Sequence, residues 1–281
     1  MKKSINVLIN GKIFDLYNTN SLILISGPCV VENHILTYKI ARKIKDISLK
    51  LGIPFIFKAS YKKANRTSGI SFRSIGVQSS LEILGNIRAK LNIPVLTDVH
   101  SELEASIAAD YVDVLQIPAF LSRQTELLEA AGETGKIINI KKGQFLSPED
   151  MQFQIKKVES TGNKKIMVTE RGTSFGYHNL VVDMRSLAIM KKFKYPVIFD
   201  ATHSIQLPSG EEGISGGNPE FIFPISRAAV SAGVNGVFIE THPEPSKALS
   251  DASSMLKLNK LEGLLKQLIT LHEIVTFYKN S

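Results

Sequence analysis

Four residues of this sequence, Cys29, His203, Glu240 and Asp251, belong to the types that bind divalent metals. One thiolate, one imidazole and two carboxylates form a mixed donor set suited to a borderline ion such as zinc, iron or manganese. Cys29 is the single cysteine, so no Cys-x-x-Cys pair exists and a zinc ribbon is excluded. A second group is cationic: Lys58, Lys63, Arg66, Lys141 and Arg171. Gathered around one cavity, they would repel each other unless an anion carrying several charges offset the cost, and phosphate is the natural candidate. Arginine offers a planar fork and lysine a compact cation, so a site holding both could grasp two phosphates, or a phosphate and a carboxylate. Each residue also has a plainer use. Cys29 could fill a small core space, His203 could satisfy the Asp200 backbone, and Glu240 could pair with a nearby lysine. Lys58, Lys141 or Lys142 could instead be the activated amine of a Schiff-base aldolase.

Residues so far apart converge only if the fold brings strand ends together. Apolar stretches compatible with strands occur at 22–26, 54–58, 94–98, 112–117, 136–140, 165–169, 196–200 and 236–240. Each is followed by Gly, Pro or charged residues and then by a stretch compatible with helix. The strands are continuously apolar rather than alternating, as expected of parallel strands covered by helices. Gly52-Ile53-Pro54, Asn92-Ile93-Pro94 and Lys194-Tyr195-Pro196 repeat one phrasing, a helix end followed by proline at a strand start. These eight units predict an α/β fold, a single (β/α)8 TIM barrel forming one catalytic domain over residues 1–281. An N-terminal β-hairpin is expected at about 5–16, turning at Asn10-Gly11. Residues 255–279 are expected to form a helix that closes the barrel from the end. A dinucleotide-binding open sheet would want Gly-x-Gly-x-x-Gly after an early strand, and that motif is not in the sequence. Gly213 to Gly217 reads as a mobile loop, with an anion-binding nest as the alternative.

A barrel opens all its strand ends onto one face. There the sequence places Cys29, Lys58, Lys63, Asp98, His100, Gln116, Asn139, Lys141, Glu170, Arg171, Asp200, His203 and Glu240, with Asp251 beyond the eighth strand. Closure makes the first, seventh and eighth strands neighbours, which would unite the metal-binding types. With 34 Lys+Arg against 26 Asp+Glu the formal charge is +8, which favours anionic partners without choosing among them. No basic run is interleaved with aromatics, which argues against nucleic acid as a partner. No apolar stretch nears the roughly 18 residues that cross a bilayer, and no signal segment follows Met1-Lys2-Lys3, so no membrane partner and a cytoplasmic, reducing location are expected.

Several motifs at these strand ends resemble the 3-deoxy-D-manno-octulosonate 8-phosphate synthase family over nearly the full length. They are Gly27-Pro28-Cys29-Val30-Val31-Glu32, Lys58-Ala59-Ser60-Tyr61-Lys62-Lys63-Ala64-Asn65-Arg66-Thr67-Ser68, Thr97-Asp98-Val99-His100 and Gln116-Ile117-Pro118-Ala119-Phe120-Leu121. Asn139-Ile140-Lys141-Lys142-Gly143-Gln144, Phe199-Asp200-Ala201-Thr202-His203 and Glu240-Thr241-His242-Pro243 complete the set. The resemblance implies condensation of phosphoenolpyruvate with D-arabinose 5-phosphate, releasing phosphate, in the synthesis of lipopolysaccharide. Cysteine at position 29 is the mark of the metal-dependent branch, which implies Cys29, His203, Glu240 and Asp251 as ligands. It further implies Lys141, Arg171 and Lys63 as phosphoenolpyruvate contacts, Asn65, Arg66 and Thr67 as pentose-phosphate contacts, Arg123 reaching a neighbouring subunit, and a homotetramer. Lys63, Asp98, Lys141, His203 and Asp251 are then the candidates for the chemistry, and Lys58 and Gln116 join the substrate-binding candidates. The related 3-deoxy-D-arabino-heptulosonate 7-phosphate synthases, which use erythrose 4-phosphate, have Lys-Pro-Arg-Thr-Ser where this chain has Ala64-Asn65-Arg66 after Lys63. Gly143 and Pro219 depart from the family, which commonly has proline and arginine there.

Overall fold

The computed structural model describes residues 4–9, 11–64, 72–208 and 216–280, so Asn10 of the expected turn, the predicted contacts Asn65, Arg66 and Thr67, and Gly213 lie outside the described residues. The chain opens with the expected hairpin, β1 (Asn6–Ile9) antiparallel to β2 (Lys12–Asp15), and Gly11 takes the positive φ of 78° that a tight turn demands. Strands β3 (Ile23–Gly27), β4 (Phe55–Lys58), β5 (Val95–Asp98), β6 (Val114–Ile117), β7 (Ile137–Lys141) and β8 (Ile166–Glu170) follow. Beyond two short antiparallel strands, β9 (Thr173–Ser174) and β10 (Leu180–Val181), come β11 (Val197–Asp200), the pair β12 (Gln206–Leu207) and β13 (Gly216–Gly217), β14 (Gly236–His242) and β15 (Leu256–Lys257). The strands β3 to β8, β11 and β14 pair in parallel, each with the next, and β14 pairs back onto β3. The barrel is therefore closed.

Helices α1 (His34–Leu51), α2 (Val77–Leu91), α3 (Glu102–Ala109), α4 (Thr125–Glu133), α5 (Met151–Ser160), α6 (Met184–Lys191), α7 (Ile222–Ser231) and α8 (Leu261–Asn280) form the outer layer. The three repeated corners share a left-handed residue two before the proline: Gly52 and Asn92 cap their helices at φ of 68° and 49°, and Lys194, at 60°, stands three residues past α6. Pro54, Pro94 and Pro196 then stand one residue before their strands rather than within them. Their carbonyls accept from Leu24, Phe57 and Val168 of the adjacent strands, so each proline enters the ladder as an acceptor with no donor to lose. The expectation for 255–279 is corrected. Residues 256–260 form β15 and a short turn, and α8 lies on the flank, with Leu261, Leu264, Leu265 and Leu268 in the outer core and Glu262 paired to Lys50 of α1 at 2.7 Å. Its apolar stripe packs into the outer core beside α7, and the hairpin already fills the barrel end.

Two cores lie on either side of the strands. The outer one packs strands against helices, while the inner one gathers Ile23, Ile25, Ile56, Leu96, Val114, Ile137, Met167, Ile198 and Phe238 from the barrel strands with Ile5, Val7, Ile9 and Leu16 of the hairpin. The hairpin thus plugs the amino end. Because strand side chains alternate, the next inward position lies two residues on, and there the character switches: Lys58, Asp98, Gln116, Asn139, Thr169, Asp200 and Glu240 follow the inner apolar residues. One period of two builds both floor and site.

Candidate active site

The polar layer is a hydrogen-bonded belt. Asp98 accepts from Ser60 Oγ at 2.5 Å and from Gln116 Nε2 at 2.6 Å; Gln116 Oε1 accepts from Asn139 Nδ2 at 2.8 Å, and Asn139 Oδ1 from Thr169 Oγ1 at 2.7 Å. Burial alone would raise the Asp98 pKa, but Lys58, Lys63 and Lys141 hold it far below the ordinary carboxylate range. Lys58 is buried and spends its ammonium inside the protein, on Glu240 Oε1 at 2.6 Å, Cys29 O at 3.1 Å and Ser60 Oγ at 3.1 Å. Burial opposes its charge and the Glu240 carboxylate outweighs that, so its pKa is raised. Gly27 permits this crowding: a Cβ there would stand 2.0 Å from Lys58 O.

Above the belt, donor atoms of Cys29, Glu240 and Asp251 lie within 4.8 Å of one another. The buried Cys29 Sγ donates to Asp251 Oδ2 at 2.6 Å, and burial, reinforced by Asp251 and Glu240, pushes the thiol well above its ordinary pKa. Asp251 sits at φ 51°, an uncommon left-handed conformation for a residue with a side chain, and Lys63 Nζ stands 3.5 Å from its Oδ2. Burial would raise the Asp251 pKa, yet Lys63 and His203 bring it far down; Lys63 is in turn raised, its burial outweighed by Cys29 and Asp251. His203 is not part of the three-residue group but adjoins it, with Nε2 3.5 Å from Glu240 Oε2. Its Nδ1 lies 2.8 Å from Asp200 Oδ2 and its backbone N–H donates to Asp200 Oδ1 at 2.9 Å. With Nδ1 toward the Asp200 carboxylate, Nε2 is the ring nitrogen turned toward the cluster. Glu240 does pair with a lysine, and His203 meets the Asp200 side chain rather than its backbone, but neither contact uses up the residue. Glu240 gives Oε1 to Lys58 while its buried Oε2 has no hydrogen-bond partner among the described residues, and His203 gives Nδ1 to Asp200 while Nε2 points inward. An orphaned carboxylate oxygen beside a thiol, an imidazole and a second carboxylate fits a divalent ion.

The cationic residues divide. Lys141 Nζ pairs with Asp200 Oδ2 at 2.6 Å and lies 4.0 Å over the Phe238 ring, while Asp200 stays well below its ordinary range, burial being overcome by His203 and Lys141. Arg171 is buried, which pushes its pKa down; Nη2 donates to Gln206 Oε1 at 3.0 Å, and Nη1 has no partner among the described residues. A buried guanidinium nitrogen without an acceptor is suited to an anion. Lys142, by contrast, is a tie for the loop: its ammonium meets Thr173 Oγ1 at 2.9 Å and Glu170 Oε1 at 3.4 Å, and burial lowers its pKa. Arg123 is exposed between β6 and α4, its carbonyl accepting from Lys157. At Gly143 an added Cβ would press on Phe145, Ser122 and Ala119, and Pro219 opens the short turn leading into α7.

A model of the DAHP synthetase I family matches residues 15–276. The chain belongs to that family. The family is represented among relatives by a 2-dehydro-3-deoxyphosphooctonate aldolase of Koribacter versatilis, 56% identical over 258 residues that cover 91% of this chain and 92% of the relative. Proteins of the same name from Methylibium petroleiphilum and Dichelobacter nodosus are 53% and 51% identical, covering 93% of this chain and 94% and 95% of theirs.

Reading from sequence missed Gln206, Ser60 and the role of Thr169. Ser60 and Thr169 were within reach, because each lies two residues beyond an inward side chain of the same strand line. Gln206 sits in a loop where no period applies.

Proposed function

We propose that this chain condenses phosphoenolpyruvate with D-arabinose 5-phosphate and water, giving 3-deoxy-D-manno-octulosonate 8-phosphate and inorganic phosphate. The observation that carries this reading is the likeness, at 51–56% identity across about nine-tenths of both chains, to proteins bearing the name of that enzyme. The enol carbon of phosphoenolpyruvate attacks the aldehyde carbon, water adds to the resulting cationic carbon, and the tetrahedral phosphohemiketal expels phosphate by carbon–oxygen cleavage. Arg171 and Lys141 bind and orient the carboxylate and phosphate of the three-carbon substrate, with Lys63 beside them. Asn65, Arg66 and Thr67, with Arg123 of a neighbouring copy, take the pentose phosphate. Lys58 fixes Glu240, and Asp98 anchors the belt that carries Gln116. Cys29, His203, Glu240 and Asp251 would hold a divalent ion, zinc, iron or manganese. When bound, it supplies a positive centre for the aldehyde oxygen or for water. Exposed Phe120 and Phe145, on the loops after β6 and β7 that also carry Arg123, suit burial in a homotetramer. Its free cysteine suits a reducing cytoplasm, and no helix among the described residues is long and apolar enough to cross a membrane.

Metal-loaded protein given both substrates should release one phosphate per eight-carbon product and should prefer arabinose 5-phosphate to erythrose 4-phosphate. Preference for the four-carbon sugar would favour the heptulosonate reaction, and full turnover after verified metal removal would defeat the metal assignment. Light scattering should read four chain masses.

A further inference from the structure

Gln206 stands between Arg171 and Asp251. Its Oε1 accepts from Arg171 Nη2 at 3.0 Å, and its Nε2 donates to Asp251 Oδ1 at 3.0 Å, with Ser254 Oγ at 3.4 Å. These neighbours fix which way round the amide lies, because a guanidinium only donates and an ionised carboxylate only accepts. The backbone is held as firmly. Gln206 opens β12 opposite Gly217 of β13, and a Cβ on Gly217 would stand 2.9 Å from Ser253 O and 3.0 Å from Ser254 Cβ. The strand pair is thus seated directly on the turn that follows Asp251.

Arginine and carboxylate side chains pair readily, often through two parallel hydrogen bonds. A direct Arg171–Asp251 pair would occupy the guanidinium that an anion needs and the carboxylate that a cation needs. The two charged groups are held at the two ends of one amide, so they face each other across it. A neutral amide between them satisfies one N–H and one carboxylate oxygen; it leaves Arg171 Nη1 without a partner among the described residues and Asp251 Oδ2 facing Cys29 Sγ, Ser250 Oγ and Lys63.

We propose that Gln206 is a positioning residue that keeps Arg171 and Asp251 from pairing and aims each at its own ligand, the guanidinium at the anionic three-carbon substrate and the carboxylate at the divalent ion. This rests on the reading of Arg171 and of the Cys29, Glu240 and Asp251 cluster given under Proposed function.

The test is Gln206→Met, which keeps length and bulk while removing both hydrogen bonds. Two quantities are measured on the full-length protein: KM for phosphoenolpyruvate, and Co2+ affinity by chelator competition, followed through the cobalt–thiolate absorption. Both should worsen by about tenfold, the scale expected when the partner of a ligand is lost, with kcat falling less than KM rises. If Gln206→Met melts well below the parent, Gln206→Ala is read in its place, with the same expectation. Unchanged KM and unchanged Co2+ affinity in a parent that binds Co2+ would overturn the proposal alone, as would a change in one quantity without the other. A parent that binds no Co2+ would overturn the metal reading and, with it, the Asp251 half of the proposal.

Discussion

Arg171 Nη1 is buried without a partner among the described residues, while Nη2 is held by Gln206. Replacing Arg171 by Lys keeps the charge but loses the fork, so either the Gln206 contact or the anion contact must be given up. A lost hydrogen bond to a charged group costs about 1.5–3 kcal/mol, so Arg171→Lys should raise KM for phosphoenolpyruvate by roughly 10- to 100-fold in steady-state assays. An unchanged KM would remove Arg171 from the substrate contacts. Individual residues were readable in sequence where they lie in a distinctive motif at the carboxyl side of a strand, as Cys29 does just past β3 and Glu240 does late in β14. What no motif could show is that Glu240 and His203 each carry two heteroatoms with separate surroundings. Glu240 is both the partner of Lys58 and the owner of an oxygen without a hydrogen-bond partner among the described residues, so the lysine pair does not exclude a metal ion.

Among the elements, the β4 loop is fastened to α3 by Glu104, which accepts from Tyr61 Oη at 2.5 Å, from the His100 backbone at 3.0 Å and from Lys62. Burial would raise the Glu104 pKa, but hydrogen bonds from His100, Lys62 and Tyr61 bring it far below its ordinary 4.5. A carboxylate depressed in the folded state stabilises at pH above its unfolded value and loses that contribution as pH falls through the folded one. The melting-temperature gap between the parent and Glu104→Gln should therefore be full at pH 7 and should shrink steadily as pH drops below about 4.5. A gap that does not change with pH would show that Glu104 acts through shape alone. Strand positions were legible because parallel strands buried on both faces leave uninterrupted apolar runs, and the proline corners marked where they start. The place of α8 was not legible. Its apolar stripe says that one face is buried, but which surface it covers depends on the hairpin having already taken the barrel end.

For the molecule as a whole, that hairpin makes the inner core continuous from Ile5 to Phe238. Ile5 is fully buried there, so Ile5→Ala should cost about 2–5 kcal/mol in urea denaturation, as for other large-to-small core changes. A loss below about 1 kcal/mol would mean that the hairpin rests on the barrel without being part of its core. Closure of the barrel could be inferred from the number of units, whereas its plug could not, because residues 5–9 carry no sign of what they pack against. The belt above the plug has a property of its own. Thr169 donates to Asn139, Asn139 to Gln116, and Gln116 to Asp98, while Ser60 donates to Asp98 from the other side. Every arrow points to the same residue. A chain of amides and hydroxyls without a charge could run in either sense and would flicker between the two, presenting a substrate with acceptors at one moment and donors at the next. With one permanent anion as its terminus the chain has a single sense, so Asp98 gives the β4 to β8 side of the barrel a fixed direction of hydrogen bonding before any ligand arrives.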